Sequence, residues 1–481
     1  MASKYTPTIG IECHVQLKTK TKLFAGVDND ARGKKPNTLI SHICLGMPGA
    51  LPVLNEKAVQ LACQAAFALG TSPAHYSKFD RKHYFYPDLP KGYQITQFDQ
   101  PVIIGGHVNI EVDGKKRKIG VTRAHLEEDA GKNTHPAGAD YSLVDLNRAG
   151  TPLLEIVSEP DMHTAAEAKA YAKELYLLMK YADVSDVDLY HGNMRFDVNV
   201  SLSSDPKTLG TRTETKNLNS FKSVEKAVEY EIKRQSELLD KGQEIVQETR
   251  GWDDAKQKTT SQRGKEEAHD YRYMPEPDIP PIVLDDEYIR NIEKNMPIMP
   301  EVLRAKLRKL DLDESAVETI VDALPAGNLM LHIMDKYEPS TSRRIANWLA
   351  SEVQALVADE KLSWEVITNS YAEPLVELVK LVDDDQVSST GAKVVLAALL
   401  LHEEKNPLTI AKEHDVLQVS DEGEIEKIVE QVIHDNPQAA DDVRNGEMKA
   451  IGYLVGQVMK ESRGKANPGL AQKLLKKHLG V

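Results

Sequence analysis

The chain has 481 residues, 41% of them apolar and only 6% aromatic, and a formal net charge of −14. That length exceeds one ordinary domain and sets a prior of two or three. The acidity argues against a generic nucleic-acid binder, which is basic, so any RNA contact rests on a local patch.

The first residues, Met1-Ala2-Ser3-Lys4-Tyr5-Thr6-Pro7, lack the apolar core of a signal peptide. From Ile9 to Leu17 the chain alternates like a half-buried strand, whose successive side chains point to opposite faces. Ile11, Cys13, Val15 and Leu17 face a core, and Glu12, His14 and Gln16 share the other face. A carboxylate and an imidazole side by side on a rigid strand suit metal binding or proton transfer. The stretch Phe79–Gln94 mixes aromatics, charges and prolines and reads as an irregular loop, structural or functional. Val108–Val112 and Ile119–Leu126 flank Asp113-Gly114, a hairpin signal. In Arg123–Lys132 three acids, Glu127, Glu128 and Asp129, stand in a row and suit the hard oxygen shell of Mg²⁺. Strand parity leaves open which of Glu127 and Glu128 faces the chemistry.

Leu153-Leu154-Glu155-Ile156-Val157 carries one carboxylate inside an apolar run, and a buried Glu155 requires a cationic partner. Thr164 or Asp161 caps a helix reaching about Tyr181. In Arg195–Leu202, Arg195, Asp197, Asn199 and Ser201 share a face. In the following strand, Thr211–Leu218, Arg212, Glu214 and Lys216 do the same. Asp and Asn are poor strand formers, so Asp197 and Asn199 need a reason to be there. Together these strands imply an antiparallel sheet with one apolar and one charged face. A bland solvent-facing sheet gives the same alternation for any single strand. Phe221–Leu239 reads as a helix. Gly251–Pro281 is polar, ends in a proline cluster, and reads as a long loop.

Beyond Met296-Pro297 the composition turns to Leu, Ala, Val, Glu and Lys at helical spacing, and a second break falls near Lys405-Asn406-Pro407. The expected organisation is α+β: a domain over 1–295 with a mixed or antiparallel sheet, an all-α domain over 296–405, and a small all-α tail over 406–481. From Arg444 to Val481 eight Lys or Arg stand against two Glu, a local basic patch that charge alone does not separate from a solvated helix face. Cys13, Cys44 and Cys63 form no CxxC pair, which suits a reducing compartment. No apolar run approaches the roughly 18 residues of a membrane helix. The chain is expected to be cytoplasmic. No G-x-x-x-x-G-K-[ST] or G-x-G-x-x-G motif is present, so any ATP chemistry runs on a carboxylate-lined sheet, where metals bridge the phosphates.

Several of these segments closely resemble the B subunits of the aspartyl/glutamyl-tRNA(Asn/Gln) amidotransferases. The resemblance rests on Ile9–Val15, Phe79–Lys82, Tyr84–Asp88, His125–Lys132, Asp145–Val157, Lys216–Phe221, Asp270–Tyr273, Pro275–Asp278 and Gly452–Lys460, and it spans nearly the whole chain. It implies a cradle domain like the catalytic domain of glutamine synthetase, followed by two helical parts that hold tRNA. It implies a heterotrimer with an amidase (A) subunit and a small C subunit, with ATP and Mg²⁺ as cofactors. The implied reaction phosphorylates the side-chain carboxylate of mischarged Glu-tRNA(Gln) or Asp-tRNA(Asn). Ammonia channelled from the amidase then displaces the phosphate. By motif, Glu12, His14, Glu128 and Glu155 look like the Mg²⁺ cluster. Glu128 and Glu214 look like acids at the channel exit, and Lys82 and Lys91 like channel-lining residues. Arg195, Asp197, Asn199 and Lys216 are added as the phosphate and metal neighbourhood.

Three departures stand out. Many family members carry four cysteines for a structural zinc, where this chain has Ala25, Val27, Ser41 and Cys44. One thiol builds no tetrahedral site, so no zinc is expected. An acidic pair of the family reads Tyr190-His191, and an arginine reads Ser203. A catalytically decayed tRNA-binding scaffold is the runner-up, disfavoured by the intact Glu12, His14, Glu128, Glu155 and Glu214. A stand-alone small-molecule ligase is the third reading, disfavoured by the basic tail.

Overall fold

Alternation builds the central strand, β1 (Thr6–Gln16). Ile9, Ile11, Cys13 and Val15 are buried, while Glu12, His14 and Gln16 are half-buried on the other face. The computed structural model describes residues 4–136, 138–205, 207–264, 270–402, 406–418, 422–462 and 465–481. The chain divides into two compact units, Met1–Met299 and Pro300–Val481.

The first unit is organised by a twelve-stranded sheet. In chain order its strands are β1, β2 (Asp80–His83), β3 (Tyr93–Thr96), β4 (Ile103–Ile104), β5 (His107–Val112) and β6 (Lys115–Glu128). They continue with β7 (Pro152–Ser158), β8 (Met194–Ser203), β9 (Thr213–Leu218), β10 (Glu248–Asp253), β11 (Lys258–Gly264) and β12 (Met274–Pro275). The spatial order is β11-β10-β9-β8-β1-β7-β6-β3-β2-β12, with β4 and β5 also paired to β6. Neighbours are antiparallel except β9 and β10, so the sheet is mixed. The helix Phe221–Asp240, α3 below, supplies the crossover that a parallel pair requires.

The apolar face packs against α1 (Glu56–Ala68), α2 (Ala165–Tyr181) and α3. Ile9, Ile11, Leu154, Ile156, Phe196 and Val198 share one core with Ala62, Tyr171, Leu175, Val224 and Val228. Each fully buried Ile, Leu or Val stabilises by about 1.5–3 kcal/mol, so this face fixes the strand register. Thr164 caps α2 in a reciprocal capping box with Glu167, and Ser220 caps α3. The β5–β6 hairpin turns at Asp113 (φ +50°) and Gly114 (φ +72°), the left-handed pair that a two-residue hairpin favours. The fourth helix of this unit is α4 (Asp286–Lys294).

Two segments read as irregular differ from expectation. Phe79–Gln94 contains β2 and the start of β3, which pair antiparallel from Asp80↔Thr96 to His83↔Tyr93. Gly251–Pro281 contains the end of β10, all of β11, and β12, which adds to the sheet edge at Arg81. Hydrogen bonding to a sheet edge overrides weak local propensity in both. Residues 265–269 of that expected loop lie outside the described residues.

The second unit is helical: α5 (Pro300–Arg308), α6 (Glu314–Asp322), α7 (Leu324–Lys336), α8 (Pro339–Trp348), α9 (Gln354–Ala358), α10 (Ala372–Asp383), α11 (Ser389–Leu401), α12 (Pro407–Glu413), α13 (Glu422–Asp435), α14 (Pro437–Arg444), α15 (Ala450–Glu461) and α16 (Pro468–Leu479). The expected tail boundary at 405/406 falls just before α12, yet α12 packs on α10 and α11. A separate core, with Ile425, Val429, Val443, Leu454, Val458 and Leu474, begins only at α13. Of the basic residues there, Arg444, Lys449, Lys460, Lys473 and Lys477 are exposed, and Arg463 lies outside the described residues. Among the described residues no helix is long and apolar enough to cross a membrane.

Candidate active site

The polar face of the sheet is assembled by register. Residues directly opposite in an antiparallel pair point to the same side. One row across four strands reads Arg195 (β8), His14 (β1), Glu155 (β7) and His125 (β6). The next row reads Asp197, Glu12, Val157 and Arg123. On the other side, Gln16, Leu153, Glu127 and Thr96 line up from β1 through β7 and β6 to β3. Asn199 lies opposite Gly10 on one side and Glu214 on the other.

A bulge makes this alignment possible. Val157 pairs with Arg123 but Ser158 pairs with Val121, which leaves Thr122 as the extra residue. Ile119 and Val121 face the core. Strict alternation from them would send Arg123, His125 and Glu127 into it as well. The bulge reverses the phase, so Ala124 and Leu126 enter the core and the three polar residues reach the charged face.

At the centre two imidazoles and two carboxylates close on one another. His14 Nε2 lies 3.5 Å from Glu155 Oε2 and 3.7 Å from Glu127 Oε1. His125 Nε2 lies 3.4 Å from Glu155 Oε2 and 3.7 Å from Glu127 Oε2. Burial alone would lower both imidazoles. The carboxylates win instead: Glu155 and Glu127 raise His125 to about 9, and Glu155 leads in raising His14. Burial likewise pushes Glu155 up, but His125 and His14 hold its carboxyl well below the usual range. Ligand atoms of His14, Glu127 and Glu155 lie within 4.8 Å of one another. The buried Nδ1 atoms of His14 and His125 have no hydrogen-bond partner among the described residues. Two carboxylates and an imidazole around one point are a donor set that fits a divalent cation such as Mg²⁺ or Mn²⁺.

The flanks are charge-paired. Asn199 Nδ2 donates to Glu12 Oε1 at 3.1 Å. Burial, and then the nearby Glu155 and Glu214, push the Glu12 carboxyl up. Lys216 Nζ bridges Asp197 Oδ2 at 3.1 Å and Glu214 Oε1 at 2.8 Å. The Asn217 N–H, on a left-handed residue with φ +60°, donates to Asp197 Oδ1 at 2.7 Å. Arg195 Nη2 and Arg148 Nε reach the buried Asp129 at 3.1 and 3.3 Å. Burial alone would raise that carboxyl, but the two guanidiniums hold it down. Lys82 Nζ stands 4.8 Å from the Tyr271 ring centroid. Burial works against its charge, but Glu127, Tyr273 and Glu155 keep the ammonium above its ordinary pKa. Two cavities flank the cluster along β1. One, of about 530 Å³, is bordered by Gly10, Glu12, Asn199 and Ser201. The other, of about 560 Å³, is bordered by Gln16, Lys18, Arg148 and Asn193.

The expected cluster of Glu12, His14, Glu128 and Glu155 is therefore only partly brought together. His14 and Glu155 meet, and Glu12 stands one row away. Glu128 is replaced by its neighbour Glu127. Glu128 lies opposite Pro152, one residue out of phase, and its buried carboxylate pairs with Lys91 and accepts from the Ile95 N–H at 2.9 Å. Lys82 and Lys91 consequently serve different carboxylates. Glu214, Arg195, Asp197, Asn199 and Lys216 all lie on the polar face. His125 and Arg123 were missed as site residues, while Glu127 and Asp129 were read within an acidic row suited to Mg²⁺ but left out of the assigned cluster. The signal for two of them was present, since His125 and Glu127 stand two apart between the apolar Ala124 and Leu126, as Glu12 and His14 do beside Cys13. Among the departures, Cys44 Sγ lies 3.3 Å from Ser41 Oγ and 3.5 Å from the buried Lys22 ammonium. Tyr190 is exposed, and Ser203 sits opposite Thr6 at the far end of β1.

Residues 7–290 match the family described as the GatB/GatE catalytic domain, and residues 329–479 match that described as the GatB domain. Proteins named as the B subunit of an aspartyl/glutamyl-tRNA(Asn/Gln) amidotransferase are similar along the whole length. That of Caldanaerobacter subterraneus subsp. tengcongensis is 46% identical over 478 residues, covering 99% of both chains. That of Persephonella marina is 45% identical over 480 residues, covering 99% of this chain and 100% of its own. That of Desulfotalea psychrophila is 44% identical over 479 residues, covering 99% of both.

Proposed function

Because this chain belongs to the family of aspartyl/glutamyl-tRNA(Asn/Gln) amidotransferase B subunits, and so is one subunit of a ligase-type enzyme, we propose that it carries the ATP- and Mg²⁺-dependent activation of a tRNA-bound carboxylate. The substrates are mischarged Glu-tRNA(Gln), Asp-tRNA(Asn) or both. The partners are an amidase A subunit, which releases ammonia from glutamine, and a small C subunit. The sheet and its charged face correspond in this reading to the catalytic domain of glutamine synthetase. The helices of the second unit, above all α13–α16 with their exposed lysines, grip the tRNA. The setting is the cytoplasm.

The observation that carries the reading is the closed group of His14, His125, Glu127 and Glu155 on a sheet face flanked by two cavities. His14, Glu127 and Glu155 would hold the divalent cation, with Glu12 one row away. Bound Mg·ATP supplies the phosphoryl group, and the cation offsets its charge. The chain's own contribution is positioning. Asp129 and Asp197 hold Arg195 and Lys216 in place, so these cations need no reorganisation when an anion arrives. Glu214, paired with Lys216, is in this reading the carboxylate base that takes a proton from ammonium, because only neutral ammonia is a nucleophile. Lys82 and Lys91 line the route of that ammonia. The positions that hold zinc in many relatives carry no such donor set here, and Lys22 with Cys44 and Ser41 occupies that region.

The test is glutamine-dependent amidation of Glu-tRNA(Gln) and Asp-tRNA(Asn) by the chain co-expressed with its A and C partners, with ATP and Mg²⁺ supplied or withheld. ATP-dependent amide on either tRNA is the expected result and defines specificity. An intact complex that binds tRNA yet forms no amide would overturn the reading.

A further inference from the structure

Arg123 differs from the other cations of the polar face. Arg195 is held by Asp129, Lys216 by Asp197 and Glu214, Lys91 by Glu128, and Lys82 by the Tyr271 ring. Among the described residues no carboxylate pairs with Arg123, and its buried Nε has no hydrogen-bond partner. A buried donor on a charged group left without an acceptor is costly and demands an explanation. The β6 bulge supplies part of one. It turns Arg123 away from the core into the row of Glu12, two residues along the strand from His125, or about 7 Å. A sheet that spends a bulge to bring an unpaired guanidinium beside a divalent-cation donor set is arranged for an anion.

We infer that Arg123 binds the terminal phosphoryl group of a nucleoside triphosphate, as a further substrate-contacting residue beside the His14–Glu127–Glu155 cluster. The inference rests on the proposed function and goes beyond it by naming the group that meets the transferred phosphate. The guanidinium fork matches two phosphate oxygens at once, which a lysine ammonium does not. A cation held by His14, Glu127 and Glu155 offsets only part of the charge at a triphosphate terminus, and a fixed guanidinium offsets more. Arg195 and Arg148 share the charge of Asp129, whereas Arg123 meets an incoming anion with its full charge.

The experiment measures equilibrium affinity of the purified complex with its partner subunits for Mg·ADP and for a non-hydrolysable Mg·ATP analogue, by calorimetry. Wild type, Arg123→Gln and Arg123→Lys are compared, with a melting curve for each. Wild type is expected to prefer the triphosphate. Arg123→Gln is expected to weaken triphosphate binding about 10- to 100-fold and leave ADP unchanged, the loss of a charge-assisted contact. Arg123→Lys keeps the charge without the fork and recovers part of the preference. An arginine with a purely structural role would weaken both nucleotides equally, and that result overturns the inference. So does an Arg123→Gln that binds both as wild type does. Should Arg123→Gln fail to fold, Arg123→Lys decides the matter, since wild-type selectivity in that variant removes the fork from the argument and overturns the inference. A wild-type complex that binds neither nucleotide overturns the functional reading together with this inference, whereas normal wild-type binding with indifferent variants overturns the inference alone.

Discussion

At the residue scale, the site turns on one step of parity. Glu127 and Glu128 are adjacent in sequence, both acidic and both buried, yet only Glu127 points at His14 and His125. Glu127→Gln should therefore weaken Mn²⁺ or Mg²⁺ binding by at least roughly 10- to 100-fold, the scale of losing even an outer partner of a metal ligand. Glu128→Gln should leave metal affinity nearly intact while releasing Lys91, and titration calorimetry on the two variants separates them. The same cluster sets a pH dependence. Without metal, His125 is raised to about 9 and so is protonated near neutrality, and the Glu155 carboxylate beside His14 raises that imidazole as well. A cation competes with protonation of the His14 nitrogen that it uses, and it meets the His125 charge next to it. Apparent metal affinity should rise with pH from neutrality towards about 9. Calorimetry in buffers of different ionisation enthalpy should record proton release on binding.

At the element scale, a buried carboxylate ties α3 to the far strands of the sheet. Glu231, fully enclosed, accepts from Thr213 at 2.8 Å and from Thr259, and pairs with Arg234 at 2.7 Å and Arg250 at 3.1 Å. It thereby joins α3, β9, β10 and β11, the strands whose edge carries Glu214 and Lys216. Removing it takes from Arg234 its carboxylate and leaves Arg250 with Glu248 and Thr259, so Glu231→Ala should cost about 3–5 kcal/mol in urea unfolding, the scale for breaking a buried pair. Burial raises this carboxyl, but Arg234 and Thr259 lower it further, for a net depression. A depressed carboxylate contributes stability above its unfolded pKa and loses it as pH falls through the folded value. The wild-type unfolding midpoint should therefore fall on acidification below about pH 4.5, the ordinary value. Glu231→Gln should flatten that slope.

At the scale of the whole molecule, the proposed function gives the two units different work. The charged sheet face lies wholly within Met1–Met299, and the exposed lysines of α15 and α16 lie within Pro300–Val481. Deleting residues 422–481, which have a core of their own, should lower tRNA affinity while nucleotide affinity in the remaining chain stays within about twofold. Filter binding with tRNA and calorimetry with Mg·ATP test the two halves separately. An unchanged tRNA affinity would remove the tail from the binding surface. With a net charge of −14, RNA binding in that reading rests on a local basic patch.

The sequence by itself determined the sheet with one apolar and one charged face, the helical second half, and the side of the sheet on which Glu12, His14, Glu155, Asp197 and Asn199 lie. These are readable because side-chain direction repeats with period two on a strand and 3.6 on a helix, and burial enforces that repeat. It also placed Glu155 beside a cation, from the cost of burying a lone carboxylate. Only the tertiary structure decided that the cation is a pair of histidines, and that Glu127 rather than Glu128 joins them. That choice follows from one extra residue at Thr122, which reverses the phase of β6 relative to β7, and a bulge is a property of two paired strands rather than of either alone. The same holds for β2 and β12, Asp80–His83 and Met274–Pro275, whose residues have little strand preference of their own and become strands because neighbouring strands offer backbone groups to bind.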